Sequence, residues 1–227
     1  MSSRSRYTSP VHAGARFVAQ QLILKPFIYR KTTVTVRGTE LLADVRGPYV
    51  VVSNHTSHLD APLVITSLPR KLSRYVAAGA AADYFFDVWW RKGLTSLFFN
   101  AFPVDRTGLR GRKGLATSLL DDGVPLLLFP EGTRSRTGEI GAFKPGAAAL
   151  CISRDVPCLP VAIVGAAQAM PHGKNWPDRG RPPVYVTFGA PLRAEDGESV
   201  AQFSERIAKE VRGLIDDTTT YAEAHRH

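Results

Sequence analysis

The sequence of 227 residues contains only two cysteines and no long uninterrupted apolar run. Cys151 and Cys158 are too few for a disulfide-stapled scaffold or a zinc module built on cysteines, and they fit a reducing cytoplasm. A spanning helix needs about 18 or more apolar residues in succession, so the sequence argues against an integral membrane protein. No helix-turn-helix, zinc-finger or RNA-binding signature occurs, which argues against a nucleic acid partner.

Acidic residues are missing from residues 1–31, the segment that concentrates the excess positive charge. Lys and Arg number 29 in the chain against 20 Asp and Glu, a net charge of +9, and this segment contains Arg4, Arg6, Arg16, Lys25, Arg30 and Lys31. Its apolar residues favour a segment lying on an anionic membrane surface. The alternative is a flexible basic arm followed by a short helix docked on the core. Pro26 argues against one long helix, and no cleavage site for a signal peptide follows.

The chain as a whole has ordinary globular composition, with 44% hydrophobic and 22% charged residues. Alternation over 33–37 and the β-branched run 49–52 predict strands, and apolar and helical patterns alternate from there onward. This predicts an α/β fold, a single domain with a mostly parallel central sheet flanked by helices. Further strands are expected at 74–78, 101–105, 125–129, 159–164 and 184–188. Helices are expected at 61–68, 110–120, 144–152 and 199–215, and one or two helices with a break near Gly93 at 83–99. We expect three parts: an N-terminal segment at 1–31, one domain at 32–215, and a polar tail at 216–227 that frays.

His55 and Asp60 directly follow a strand that is expected to be buried. Ligands gather beyond the carboxyl ends of parallel strands, so an imidazole placed there faces a cleft. An acid five positions later can turn back to one ring nitrogen, which fixes the tautomer and leaves the other nitrogen as a general base. For this pair alone, a helix-capping Asp beside a surface His is the competing interpretation.

Two further segments offer groups that suit a phosphate monoester. Arg106 ends the apolar stretch Phe102-Pro103-Val104-Asp105-Arg106, and its guanidinium is a rigid fork of donors. After the next strand come Glu131, Gly132, Thr133 and Arg134, where the glycine permits close approach and the hydroxyl and guanidinium bind oxyanions. Glu131 is expected to bind a substrate hydroxyl or hold an arginine. The competing interpretations are a surface arginine paired with an acid and an ordinary strand-end turn.

Four segments in this order resemble the motifs of the glycerolipid acyltransferase family, whose best-known members are the 1-acyl-sn-glycerol-3-phosphate acyltransferases. They are N-H-T-S-H-L-D, F-P-V-D-R, F-P-E-G-T-R-S and V-P-C-L-P-V, within residues 33–190. The resemblance implies that residues 32–215 form an acyltransferase domain. It also implies transfer of a fatty acyl chain from acyl-CoA or acyl carrier protein, as a co-substrate, to the free hydroxyl of 1-acyl-glycerol-3-phosphate, giving phosphatidic acid without a metal or other cofactor.

The resemblance also implies a role for each site residue. His55 is the general base, Asp60 orients it, Arg106 and Arg134 hold the acceptor phosphate, and Glu131, Gly132 and Thr133 complete that subsite. The expected partners are the lysophospholipid acceptor, acyl-CoA or acyl carrier protein, and an anionic membrane at whose cytoplasmic face the protein is peripheral. Two departures are visible: the long hydrophobic N-terminal span of many relatives is lacking, and Lys144-Pro145-Gly146 has one basic residue where two are expected.

Other functions stay open at this stage. The acceptor can be another lipid, or the protein can be a non-catalytic, membrane-associated lipid binder. A metal-dependent hydrolase is a third option, because His55, His58 and Asp60 lie within six residues, but their H-x-x-H-x-D spacing differs from the H-x-H-x-D-H zinc pattern. Residues 84–102 contain 8 of the chain's 21 aromatic residues, which form either an acyl-chain tunnel or membrane patch, or a packed pair of core helices.

Overall fold

Seven strands form one sheet in the computed structural model of the chain, which describes residues 5–81, 98–104, 113–135, 138–171, 174 and 177–225. The strands are β1 (Thr33–Arg37), β2 (Val50–Ser53), β3 (Ala77–Ala81), β4 (Phe102–Val104), β5 (Leu126–Leu128), β6 (Cys158–Val164) and β7 (Pro183–Phe188). Their spatial order is β1-β7-β6-β2-β5-β3-β4.

Five neighbouring strands of this sheet run in the same direction. β6, β2, β5, β3 and β4 are parallel to one another, β7 is antiparallel to β6, and β1 is parallel to β7. The mostly parallel sheet predicted from the sequence is therefore confirmed. We call the side where these five strands end the carboxyl edge, and the side where they begin the amino edge.

Helices cover both faces of the sheet. They are α1 (Ser5–Thr8), α2 (Pro10–Ala19), α3 (Lys25–Lys31), α4 (Asp60–Ser67), α5 (Arg70–Ser73), α6 (Lys113–Asp121), α7 (Gly146–Arg154), α8 (Ala166–Ala169) and α9 (Val200–Ala224). Val51 packs with α4 residues in one buried cluster, whereas Val50 and Val52 pack with residues of α6, α7 and α9 in the other. Because β2 is covered on both faces, all four of its residues are buried.

Residues 10–31 form one continuous helix, so the expectation that Pro26 prevents one long helix is wrong. A π-helical turn, Gln20–Leu24, joins α2 to α3 into a helix of 22 residues. Within this turn the Lys25 N–H donates to the carbonyl of Gln20, five residues earlier, and Pro26 enters the first turn of α3, where a proline is tolerated. No helix in the described part of the chain is long and apolar enough to cross a bilayer.

Two other boundaries differ from the sequence prediction. β3 begins at Ala77, and the short helix α5 precedes it at a position where no helix is predicted. α9 continues to Ala224, so the predicted fraying after Asp216 is wrong. Thr218 is fully buried and its hydroxyl hydrogen-bonds that of Thr187 on β7 at 2.8 Å, while Arg37 lies 4.2 Å over the ring of Tyr221. Contacts with β1 and β7 thus hold a polar helix end in place.

Candidate active site

The side chain of Asn54 closes the end of β2 and lets the chain leave the sheet. Its Nδ2 donates to the carbonyl of Ile163 and its Oδ1 accepts from the N–H of the same residue, both at 2.9 Å. The amide thereby replaces the pair of hydrogen bonds that the backbone of a longer strand would make with β6. The next residue, His55, is thus free to project at the carboxyl edge.

The imidazole of His55 meets the carboxylate of Asp60. Its Nδ1 lies 2.8 Å from Asp60 Oδ2, and the same oxygen accepts the backbone N–H groups of Thr56 at 2.6 Å and Ser57 at 2.8 Å. Asp60 is fully buried at the first position of α4, whereas 22% of the His55 side chain is exposed. The sequence predicted the pairing of these two side chains, and the structure brings them together.

The two backbone donors decide the direction of the hydrogen bond to His55. Backbone N–H groups only donate, so Asp60 Oδ2 is an unprotonated acceptor, and the third group facing it must also donate. Nδ1 therefore carries the proton, which leaves Nε2 of the neutral ring as an acceptor. Among the described residues, none forms a hydrogen bond with Nε2, so this nitrogen is available to a ligand.

The segment after β5 fixes His55 from the neighbouring strand. The ring of Phe129 stacks on the imidazole with centroids 4.2 Å apart. Glu131 accepts the His55 N–H at its Oε1 (2.7 Å) and the Gly141 N–H at its Oε2 (2.9 Å), and Ser135 N–H donates to the His55 carbonyl at 2.7 Å. The position of His55 is therefore set by two neighbouring strands as well as by Asp60.

The turn that follows Glu131 contains three further residues of the predicted site. Gly132 has a φ of +77°, and a Cβ there would lie 2.8 Å from Nζ of Lys144, so the lysine lies directly over the glycine. Thr133 is exposed and Arg134 half-buried, and neither side chain has a hydrogen-bond partner in the described part of the chain. The turn thus presents a hydroxyl, a guanidinium and an ammonium group at the carboxyl edge.

Sequence reasoning did not assign Phe129 or Lys144 to this site. The sequence did contain a hint of both, since Phe129 begins the motif-like segment F-P-E-G-T-R-S and Lys144 is the single basic residue before Gly146. Arg106 and most of the aromatic stretch 84–102 lie outside the described residues. No three His, Cys, Asp or Glu side chains converge as a metal site in the ranges that the structure describes.

The two cysteines lie in the core and contribute nothing reactive to the site. Cys151 and Cys158 are both buried and free. Burial raises the pKa of the Cys158 thiol well above its ordinary value, and the adjacent Cys151 adds to the effect. A thiol in this state is a poor nucleophile at neutral pH.

Comparison with known proteins gives a consistent result. A family model described as Acyltransferase matches residues 33–164. A 1-acyl-sn-glycerol-3-phosphate acyltransferase of Chlamydomonas reinhardtii is 32% identical over 63% of this chain and 42% of that protein. A probable 1-acyl-sn-glycerol-3-phosphate acyltransferase of Mycoplasma genitalium is 30% identical over 76% of this chain and 66% of that protein. The chain thus spans about two fifths to two thirds of the length of these relatives.

The fold is also found in a solved structure. The crystal structure of the 1-acyl-sn-glycerophosphate acyltransferase of Thermotoga maritima superposes with a TM-score of 0.65 and 24% sequence identity. The match covers 88% of this chain and 81% of that one. At this identity the likeness establishes the shared fold.

Glu131→Gln tests whether the carboxylate holds His55 in place. A glutamine amide has one acceptor oxygen, so its NH₂ group must face one of the two backbone N–H groups that the carboxylate now binds. We expect the free energy of unfolding to fall by about 1–3 kcal/mol, measured by urea denaturation. Glu40→Gln is the control, because Glu40 is exposed and its side chain has no partner among the described residues. Equal stability of the two variants would contradict the assignment.

Proposed function

This chain belongs to the acyltransferase family, and we propose that it moves a fatty acyl chain from a thioester donor to the free hydroxyl of 1-acyl-glycerol-3-phosphate, giving phosphatidic acid. The donor is acyl-CoA or acyl carrier protein. Both are acidic, and the net charge of +9 on this chain attracts either of them. The observation that carries the proposal is the hydrogen bond of His55 Nδ1 to buried Asp60 at the carboxyl edge, with Nε2 left available. Relatives named for this reaction support the choice of acceptor.

His55 is the general base in the proposed mechanism. Nε2 takes the proton of the acceptor hydroxyl as its oxygen attacks the thioester carbonyl. A C–O bond forms, the C–S bond breaks, and the imidazolium returns the proton to the departing thiolate. Asp60 keeps Nδ1 protonated and stabilises the positive ring while it lasts. The hydroxyl itself attacks, so the protein needs no covalent acyl intermediate.

The phosphate of the acceptor is bound in this proposal by the turn after β5. Arg134 supplies a fork of donors, Thr133 a hydroxyl, and Gly132 lets the backbone approach closely, with Arg106 as a second guanidinium. Lys144 adds a positive charge at the same turn, because its Nζ lies over Gly132. Glu131 completes the subsite by holding the turn against His55, since both of its carboxylate oxygens already accept backbone N–H groups.

The N-terminal helix is the proposed site of peripheral membrane attachment. Its inner face packs on the domain through residues such as Ala13 and Ile28. Its outer face leaves large apolar side chains in solvent: Val11 is 79% exposed, Leu22 71% and Ile23 60%. Such an apolar face beside basic residues favours binding in the interface of an anionic bilayer.

His55→Ala and Asp60→Asn together test the catalytic pair. His55→Ala removes the base, and we expect kcat to fall by about 10²–10⁴. Asp60→Asn keeps an oxygen in reach of Nδ1, and its NH₂ can take the place of Oδ1, which has no hydrogen-bond partner in the described part of the chain. We therefore expect Asp60→Asn to fold normally yet to slow transfer by about 10²-fold, because the negative charge is lost. Near wild-type turnover by a folded His55→Ala variant would refute the mechanism. If the wild-type protein binds lysophospholipid but transfers no acyl chain from any donor, it is a lipid binder and not an enzyme.

Arg134→Ala tests the phosphate subsite. Loss of the guanidinium removes a charge-assisted contact of about 1.5–3 kcal/mol, so we expect kcat/KM for the acceptor to fall about 10–100-fold. The KM for the acyl donor should stay close to its wild-type value. Arg212→Ala, which removes an exposed arginine of α9, is the control for net charge. Unchanged acceptor kinetics in Arg134→Ala would remove this residue from the subsite.

A double substitution, Leu22→Glu with Ile23→Glu, tests membrane attachment. Burying each of these side chains in a bilayer is worth about 1.5–3 kcal/mol, so replacing both should weaken binding to anionic vesicles at least about tenfold in a flotation assay. Leu41→Glu is the matched control, because Leu41 is 48% exposed and lies outside the N-terminal helix. Equal binding by the double variant and the control would show that this face does not enter the membrane.

A further inference from the structure

Arg16 is a buried cation that the proposed mechanism does not use. It lies on the inner face of α2 and is 3% exposed, and its Nε and Nη2 have no hydrogen-bond partner in the part of the chain that the structure describes. An unpaired charge in such a place is costly, because it loses its hydration and gains no partner. Burial, with a smaller contribution from repulsion by Arg6, lowers the pKa of Arg16 to about 10. The guanidinium therefore remains charged at neutral pH.

The surroundings of Arg16 place it at the amino edge of the sheet. Arg6 is close enough to repel it, and Arg6 Nη2 donates to the carbonyl of Ala101, the residue before β4, at 2.7 Å. Tyr75, two residues before β3, is the second titratable group that acts on Arg16. His55 is at the opposite edge, at the end of β2. The five residues of β3 alone span about 16 Å at the usual strand rise.

The sequence offers Arg16 no carboxylate nearby in the chain. There is no Asp or Glu in residues 1–31, which carry both arginines. There is none between Asp60 and Asp83 either, the stretch that contains Tyr75, Arg70 and Arg74. Arg70 lies over the ring of Phe17 and Arg74 over the ring of Tyr75, so two further guanidinium groups contact residues next to Arg16 or acting on it.

We propose that Arg16, together with Arg6, binds a phosphate-type oxyanion at the amino edge of the sheet, in a site separate from that of His55. Two guanidinium groups supply several planar donors, which suit the oxygens of a phosphate. The anion provides the hydrogen bonds that Nε and Nη2 lack and separates two like charges. Its source is either the head group of an anionic phospholipid beneath the N-terminal helix or a soluble phosphate.

Thermal unfolding in the presence of inorganic phosphate tests the site. The protein should carry Arg134→Ala, so that phosphate binding at the proposed acceptor subsite is weakened, and sodium chloride should keep the ionic strength constant. We expect phosphate at several times its Kd to raise the unfolding midpoint by about 2–4 °C. Adding Arg16→Met should abolish the shift and Arg16→Lys should reduce it, because an ammonium lacks the planar fork. Adding Arg46→Met, which removes an exposed arginine, should leave it intact.

Each result of this experiment decides the proposal. A full phosphate shift in Arg16→Met would overturn it, and so would a large loss of stability of that variant without phosphate, which would show that the chain itself already pairs the guanidinium. If Arg16→Met fails to fold, Arg6→Met replaces it and must weaken the phosphate-induced shift of the unfolding midpoint.

Dihexanoyl-phosphatidylglycerol, used below its micelle concentration, distinguishes a lipid head group from a soluble phosphate as the source of the anion. Protection by this lipid but not by phosphate assigns the site to a head group, protection by both to any phosphate, and protection by neither refutes it.

Discussion

One buried carboxylate oxygen, Oδ2 of Asp60, determines both the local backbone and the state of the imidazole. It accepts the N–H groups of Thr56 and Ser57, which shapes the turn that begins α4, and it faces Nδ1 of His55. Because Asp60 is fully buried, water does not compete for these contacts, and an electrostatic contact is stronger there than at the surface. The same oxygen thus shapes the turn and selects the tautomer in which Nε2 is the acceptor.

The sheet explains why residues far apart in the sequence act at one place. β2 and β5 are neighbours and parallel, so the residues that follow them, His55 and Glu131, emerge side by side at the carboxyl edge. Glu131 and Ser135 then hold both backbone groups of His55, its N–H and its carbonyl. The role of general base proposed for His55 requires a ring fixed to within a fraction of an ångström, and the contacts from two strands and from Asp60 restrain this ring.

The sequence was informative where local pattern decides the structure. Alternation predicted β1, a β-branched run predicted β2 within a residue, and the spacing of His55 and Asp60 predicted their contact because both lie in one turn. It failed where a distant partner decides. Pro26 is typical of a helix break, but the π turn before it accommodates the ring. The contacts of Glu131 with His55 and Gly141, and of Thr218 with Thr187, join segments that no local pattern relates.

The N-terminal helix connects the two edges of the sheet, which gives its exposed apolar face a defined relation to the site. Arg16 near its start lies at the amino edge, whereas Lys31 at its end leads into β1, which begins at the carboxyl edge because β1 runs opposite to β2. At 1.5 Å per residue its 22 residues extend about 33 Å, enough to cross the sheet from one edge to the other. In the proposed membrane attachment, a bilayer bound at Leu22 and Ile23 would therefore meet the helix between its two ends, along the axis that joins the two edges of the sheet.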